Sequence, residues 1–435
     1  MKTGASQMKR TCIGFGIALA AGCAMTAPAS AAGDDSLLFG DWRGTRPDAA
    51  GIKFDFGYVG ETAHNFSGGT KHMTAYTDQW NFGATLDLNR LVRWHGATFQ
   101  IALSDRHGSN LGADAGIGNN QLIQEVYGRG QTWHLTVFAL DQEFFGGALD
   151  WRIGRLPVGA DIHGFSCDFQ NLTFCGAQPG NIVGDYWVNW PTSQWGTRLK
   201  LRTSAETYVQ LGAYQLSADY VDDEYARHKG LSLDVPDTDG WLLPLEFGWT
   251  PQWKGLPGSY KAGIWYNTAG GDDLVLDINH QPRALTGDEP RQRDSRYGGY
   301  VSFQQQVTGE SANDGWVVFF NATQADTETS ATDRQIALGG EFHGPFGRPY
   351  DFIGIAVGAT HANGRQARFE RLYNETHPDD RRVVHDGNEY VGEVFYSFAP
   401  VRSMQFRANL QYIHNPGGTD LHDAFVAGLK TVISF

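Results

Sequence analysis

Strict two-residue alternation is the feature that most narrows what this chain can fold into. From Gln405 to Ile413, Phe406, Ala408, Leu410 and Tyr412 interleave with Gln405, Arg407, Asn409 and Gln411. Side chains on a strand point to opposite faces in turn, so this stretch reads as a strand with one apolar and one polar face. Trp80, Phe82, Ala84, Leu86 and Leu88 alternate in the same way with Asn81, Thr85 and Asp87. Trp133, Leu135, Val137 and Ala139 alternate with His134 and Thr136, and Phe425, Ala427, Leu429, Thr431, Ile433 and Phe435 with Lys430 and Ser434. The 26 Phe, 17 Tyr, 13 Trp and 55 Gly favour strands, tight turns and interfaces, which excludes an all-α fold.

Two architectures produce such a pattern. One is a soluble sheet with one face on a core; the other is a barrel whose apolar face meets lipid while its polar face lines a lumen. Aromatic residues at the ends of the apolar stripes (Trp80, Trp133, Tyr412, Phe435) favour the barrel, because membrane barrels carry interfacial girdles there. The final strand runs to Phe435, the last residue of the sequence. The fold class expected is therefore all-β, a transmembrane antiparallel β-barrel with long extracellular loops and short periplasmic turns.

Lys2, Lys9 and Arg10 precede an apolar segment, Ile13 to Ala24, followed by the small-residue site Ala29-Ser30-Ala31. That order predicts a secretory signal peptide over 1–31, and the segment is too short for a membrane-spanning helix. A competing reading is lipoprotein processing at Cys23. Removal after Ala31 leaves 404 residues, 32–435, as a single barrel domain with 31 basic against 48 acidic side chains. Such an acidic chain is no nucleic-acid ligand, since binding phosphates requires clustered cations. At about 25 residues per strand with its connection, the mature length gives about 16 strands, a size that encloses an aqueous channel. Excess carboxylates lining that channel would favour cations over anions.

Cys167 and Cys175 stay with the mature chain in an oxidising compartment and are expected to form a disulfide. The rival reading, half of a metal site, lacks the ligand count zinc needs. The 14 His are scattered without metal spacing, and no metal or cofactor is expected.

Longer motifs add a resemblance. The chain carries Gly40-Asp41-Trp42-Arg43-Gly44, then Gly51-Ile52, and Gln124-Glu125-Val126-Tyr127-Gly128-Arg129-Gly130. Phe169-Gln170-Asn171-Leu172-Thr173-Phe174-Cys175-Gly176 and Asn189-Trp190-Pro191-Thr192-Ser193-Gln194-Trp195-Gly196 follow, and Leu410-Gln411-Tyr412-Ile413-His414-Asn415-Pro416-Gly417-Gly418 stands near the end. In this order they resemble the carbohydrate-selective porins of Gram-negative outer membranes, the OprB family. The resemblance implies a barrel of about 16 strands in the outer membrane that passes monosaccharides, glucose-like sugars among them, by diffusion. It also implies that the terminal Phe435 is read by the barrel-assembly machinery. The chain departs from the family pattern at Arg43, in the short segment from Gly44 to Gly51, and at Asn409. Those departures bear on substrate preference.

A sugar offers hydroxyls at its rim and C–H groups on its faces, so a selective pore needs charged hydrogen-bonding groups and flat aromatic surfaces, binding weakly enough to release. Period two sends Ser104 and Arg106 into the lumen if Ile101 and Leu103 face lipid. Glu125 is expected on one strand face with Tyr127 and Arg129, opposite Arg106 across a constriction. Trp187, Trp190 and Trp195 are the candidate sugar-stacking surfaces, beside Asp185, Asn189 and Gln194. The plainer readings are a lumenal salt bridge for the charges and loop packing or a lipid-interface belt for the tryptophans. Monosaccharides and outer-membrane lipid are the expected partners, and the porin is expected as a monomer or homotrimer.

An outer-membrane barrel hydrolase acting on glycan or lipid is the alternative function, since acidic residues beside tryptophans also suit glycoside hydrolysis. The sequence has neither a G-x-S-x-G elbow nor an H-E-x-x-H helix, and no enzyme is expected. A periplasmic sugar-binding protein would alternate helices with strands, unlike this chain.

Overall fold

The computed structural model describes residues 51–310 and 314–435. The expected signal peptide, its cut after Ala31, the Cys23 reading and the 40–44 motif lie outside the described residues.

Sixteen strands form the wall: β1 Ile52–Ser67, β2 Thr74–Asp87, β3 Ala97–Gly108, β4 Trp133–Phe144, β5 Leu149–Leu156, β6 Gln194–Arg202, β7 Thr207–Leu216 and β8 Gly240–Trp249. Then come β9 Leu256–Asn267, β10 Arg296–Gln306, β11 Gly315–Ala325, β12 Thr332–His343, β13 Phe352–Ala362, β14 Asn388–Val401, β15 Met404–His414 and β16 Ala424–Ser434. Each pairs antiparallel with its sequence neighbours, and β16 returns to β1 in a register that sets Gly57 against Ser434 and His64 against Ala427. Closure leaves no edge of unpaired N–H and C=O groups, the condition for a sheet to stand in hydrocarbon.

Long connections (109–132, 157–193, 217–239, 268–295, 363–387) all leave one end of the barrel, the extracellular one, and short turns such as 145–148 and 402–403 close the other. The predicted faces hold on β2, β3, β15 and β16. Trp80, Leu410 and Leu429 are exposed to the lipid side, whereas Asn81, Ser104, Arg106, Arg407, Asn409, Gln411 and Lys430 are buried on the inner side.

The alternation read from Trp133 to Ala139 fails part-way. Ala102 pairs with Val137 but Leu103 with Leu135, so Thr136 is an extra residue in β4. A bulge shifts the phase of everything after it. Val137 and Ala139 therefore turn inward and pack with Leu156, Ile162 and Trp187, while Phe138 takes the outer face and meets Phe99 edge-on.

Tyrosines lie flat on the inner wall over cross-strand glycines. Tyr300 covers Gly263 and Tyr208 covers Gly248, and a Cβ at either glycine would overlap the ring. The lumen itself is largely filled by the 157–193 loop, whose Phe169 and Phe174 pack with Phe319, Phe352 and Phe395 of the wall and with Ile117 and Ile123 of the 109–132 loop. Each such aromatic side chain contributes about 1.5–3 kcal/mol when taken out of water.

Glutamates on the wall fix these inward loops by accepting their backbone N–H groups. Glu61 of β1 takes Val126 N (3.2 Å), and Glu246 of β8 takes His163 N (2.8 Å). On β14, Glu389 takes Asn120 N (2.6 Å) and Gln121 N (3.1 Å), while Glu393 takes Gln170 N (2.9 Å) and Asn171 N (2.8 Å). The loop residues so held, Asn120 apart, are buried between loop and wall, where a backbone N–H away from water needs such a partner.

Candidate functional site

Beside the 157–193 loop an open channel segment remains, bounded by β1, β2, β3, β15 and β16. Its lining includes Gln79, Arg106, Glu125, Asp168, Asn189, Trp190, Arg407 and Lys430. Arg106 reaches it because β3 alternates as predicted; its Nε donates to Gln79 Oε1 (2.7 Å) and its Nη1 to Tyr127 O (3.1 Å).

Glu125 arrives from a different kind of element than expected. The 121–130 segment is irregular and not a strand, with Gly128, Arg129 and Gly130 all at positive φ, which extended backbone does not permit. Glu125 is presented to the channel by this folded-in loop and held by Lys430, whose Nζ donates to Glu125 Oε1 (2.9 Å). The same ammonium contacts Glu61 Oε1 (3.2 Å) and donates to Cys167 O (2.9 Å) and Phe169 O (3.0 Å). With its donors so occupied, Lys430 positions Glu125 and the loop and has none left for a solute.

No ion pair joins Arg106 to Glu125 among the described residues, though both line the same space. Arg106 Nη2 and Glu125 Oε2 have no protein hydrogen-bond partner among the described residues. One is a charged donor and the other a charged acceptor, and both residues line the same open segment.

Cys167 and Cys175 are joined as a disulfide. The Glu125 carboxylate lies within 4.8 Å of both sulfurs, but disulfide sulfur is not the thiolate that binds zinc. Arg407 of β15 grips the start of this ring, donating to Asp168 O (2.8 Å) and pairing with Asp168 Oδ1 (3.1 Å).

Residues 71–435 match the carbohydrate-selective porin, OprB family. The chain belongs to this family. It is 38% identical over 433 residues to Porin B of Pseudomonas aeruginosa, covering 95% of this chain and 94% of that one. It is 30% identical over 429 residues to the putative porin QuiX of Acinetobacter baylyi, covering 92% and 94%. The high-pH structure of Pseudomonas putida OprB superposes with a TM-score of 0.89 at 38% identity, covering 93% of this chain and 99% of that one.

In this porin the three expected tryptophans do not form one surface. Trp190 lines the channel. Trp187 is fully buried, edge-on to Trp265 (5.4 Å) in the apolar cluster between loop and wall. Trp195 sits on β6 with its Nε1 donating to Asp234 O (3.3 Å), away from the channel lining. Arg129 likewise spends its guanidinium on Gly184 O (3.0 Å), tying the 109–132 loop to the 157–193 loop.

The excess carboxylates do not line this segment either: Arg106, Arg402, Arg407 and Lys430 face it against Glu125 and Asp168. Acidic side chains such as Asp272, Asp288, Asp379 and Asp380 stand instead in extracellular loops. Lys430, Arg407, Gln79 and Asp168 were not among the residues expected at the site. Lys430 and Arg407 were nonetheless visible as polar members of an alternating strand.

Proposed function

We propose that this outer-membrane sugar porin passes monosaccharides of glucose size, each held briefly between Arg106 and Glu125. A ring hydroxyl accepts from Arg106 Nη2 while another donates to Glu125 Oε2, and Trp190 offers an apolar face to the sugar C–H groups. The observation that carries this reading is the open charged donor and open charged acceptor on one narrow passage. Two such bonds are strong enough to select and weak enough to release.

The same geometry supports a channel over the hydrolase alternative. Hydrolysis needs a protonated general acid beside a second carboxyl, whereas the two carboxylates lining the channel are each ion-paired, Glu125 with Lys430 (2.9 Å) and Asp168 with Arg407 (3.1 Å). We also propose that the chain is exported by a leader removed after Ala31 and assembled through recognition of Phe435.

Liposome swelling with a panel of sugars tests the proposal. Monosaccharides should enter faster than disaccharides, and among hexoses the rates should differ. Equal rates for every sugar would leave a general pore.

A further inference from the structure

The outer wall carries a second feature that the sugar channel does not use. Across β8 to β12 the lipid-facing surface sinks into a shallow groove that rises to the extracellular part of β11 and β12, with walls that include Phe247, Ile264, Val301 and Ile336. Its floor is made by small residues: Gly299 pairs with Ile264 on one side and Gln324 on the other, and Ala322 pairs with Ile336.

Nothing in the backbone demands glycine at 299. Its φ is ordinary, and a Cβ there would meet Gly263 O at 3.3 Å, a tight contact, and Ile264 Cγ2 at 3.5 Å, an ordinary one. Its neighbour Gly298 differs, being covered on the inner side by Trp265. The missing side chain at 299 leaves the groove floor low on the lipid side.

At the extracellular end of the groove stands Arg334. It points outward between the inward-facing Asp333 and Gln335, is exposed, and has no hydrogen-bond or ion-pair partner among the described residues. The adjacent Gln324 amide is occupied, donating to Ala325 O (2.8 Å) and Asp333 O (2.9 Å). No carboxylate lines the groove. An arginine on a lipid-facing wall reaches toward the headgroup level and matches phosphate with its planar donor fork.

We propose that this groove binds an acyl chain of the phosphorylated glycolipid of the outer leaflet, with Arg334 as the ligand for its phosphate. The charge favours this occupant over a second copy of the chain, which would have to bring a carboxylate to Arg334.

The test is native mass spectrometry of the folded porin with bisphosphorylated lipid A and with its dephosphorylated form as probes. The wild-type protein should retain lipid A and hold the dephosphorylated form about fivefold more weakly, the weight of one interfacial arginine. Arg334→Gln should erase that preference, and Gly299→Leu, which fills the groove, should weaken both probes. Both variants should keep wild-type conductance, since the groove is on the other side of the wall from the channel. Equal retention of the two probes by wild-type protein, or an unchanged preference in Arg334→Gln, would overturn the proposal. So would loss of an oligomer in Arg334→Gln with lipid binding intact, because the groove would then be an interface between copies.

Discussion

Lys430 of β16 donates to Glu125 Oε1 at 2.9 Å, joining the last strand of the barrel to a loop 305 residues earlier in the sequence. Through this bond a buried wall cation sets the position of the Glu125 carboxylate in the lining of the open segment.

Replacing Lys430 by Met removes the partner of the fully buried Glu61 as well as the tether of Glu125, Cys167 O and Phe169 O. Breaking a buried ion pair from one side costs about 3–5 kcal/mol. The folded variant should unfold at lower temperature in heat-modified gel mobility, conduct more ions and show weaker sugar block in planar bilayers. Lys430→Arg should recover part of each property.

Disruption of the Cys167–Cys175 bond should act differently. A ring this short stabilises by about 2–3 kcal/mol through the unfolded chain, while the folded loop is also held by Glu393, Arg407 and Lys430. The Cys167→Ser, Cys175→Ser double variant should therefore lose thermal stability yet keep wild-type single-channel conductance. A large rise in conductance would show that the covalent link alone holds the loop.

The 363–387 loop should loosen at alkaline pH. His385 donates to Glu370 Oε1 through Nδ1 (3.0 Å) and donates its backbone N–H to Glu370 Oε2 (2.8 Å). The hydrogen bond to Glu370 raises the imidazole above its usual value, against the opposing effect of burial. A raised histidine contributes stability that is full below its unfolded value and lost as pH rises through its folded one. Glu370 is held below the usual carboxylate value by those His385 bonds despite burial, so its own contribution disappears only in acid. Hydrogen-exchange protection across 380–387, taken relative to the intrinsic exchange rate at each pH, should fall between mildly acidic and alkaline pH, and His385→Gln should remove that fall. A flat profile in the wild-type protein would count against the pair.

Much of the wall was legible in the sequence because strand alternation is a local signal. It correctly placed Arg106, Arg407 and Lys430 on the inner face. It failed where one inserted residue, Thr136, changed the phase of β4, since a bulge leaves no mark in composition. The loops were harder to read. Glu393 docks Gln170 across 223 residues of sequence, and nothing near either residue announces the contact. Trp187 looked like a sugar platform because its segment is rich in polar residues, yet that segment folds inward and buries it.

Assembly should depend on Phe435, as proposed above. Phe435 continues β16 and its backbone N–H donates to Phe56 O (3.0 Å) at the periplasmic end of β1. Deleting it should lower the amount of heat-modifiable barrel in outer-membrane fractions. Undiminished folded protein after the deletion would remove Phe435 as an assembly signal.

The most direct test of the account is sugar block of ion current through single channels, comparing wild-type protein with Arg106→Ala and Glu125→Gln. A charge-assisted hydrogen bond contributes about 1.5–3 kcal/mol, or about tenfold to a hundredfold in affinity. Glucose should close the wild-type channel in a concentration-dependent way, each variant should need about tenfold more sugar or beyond for the same block, and Arg106→Ala should also conduct more. Wild-type block and conductance retained in both variants would contradict the assignment of the sugar site to Arg106 and Glu125.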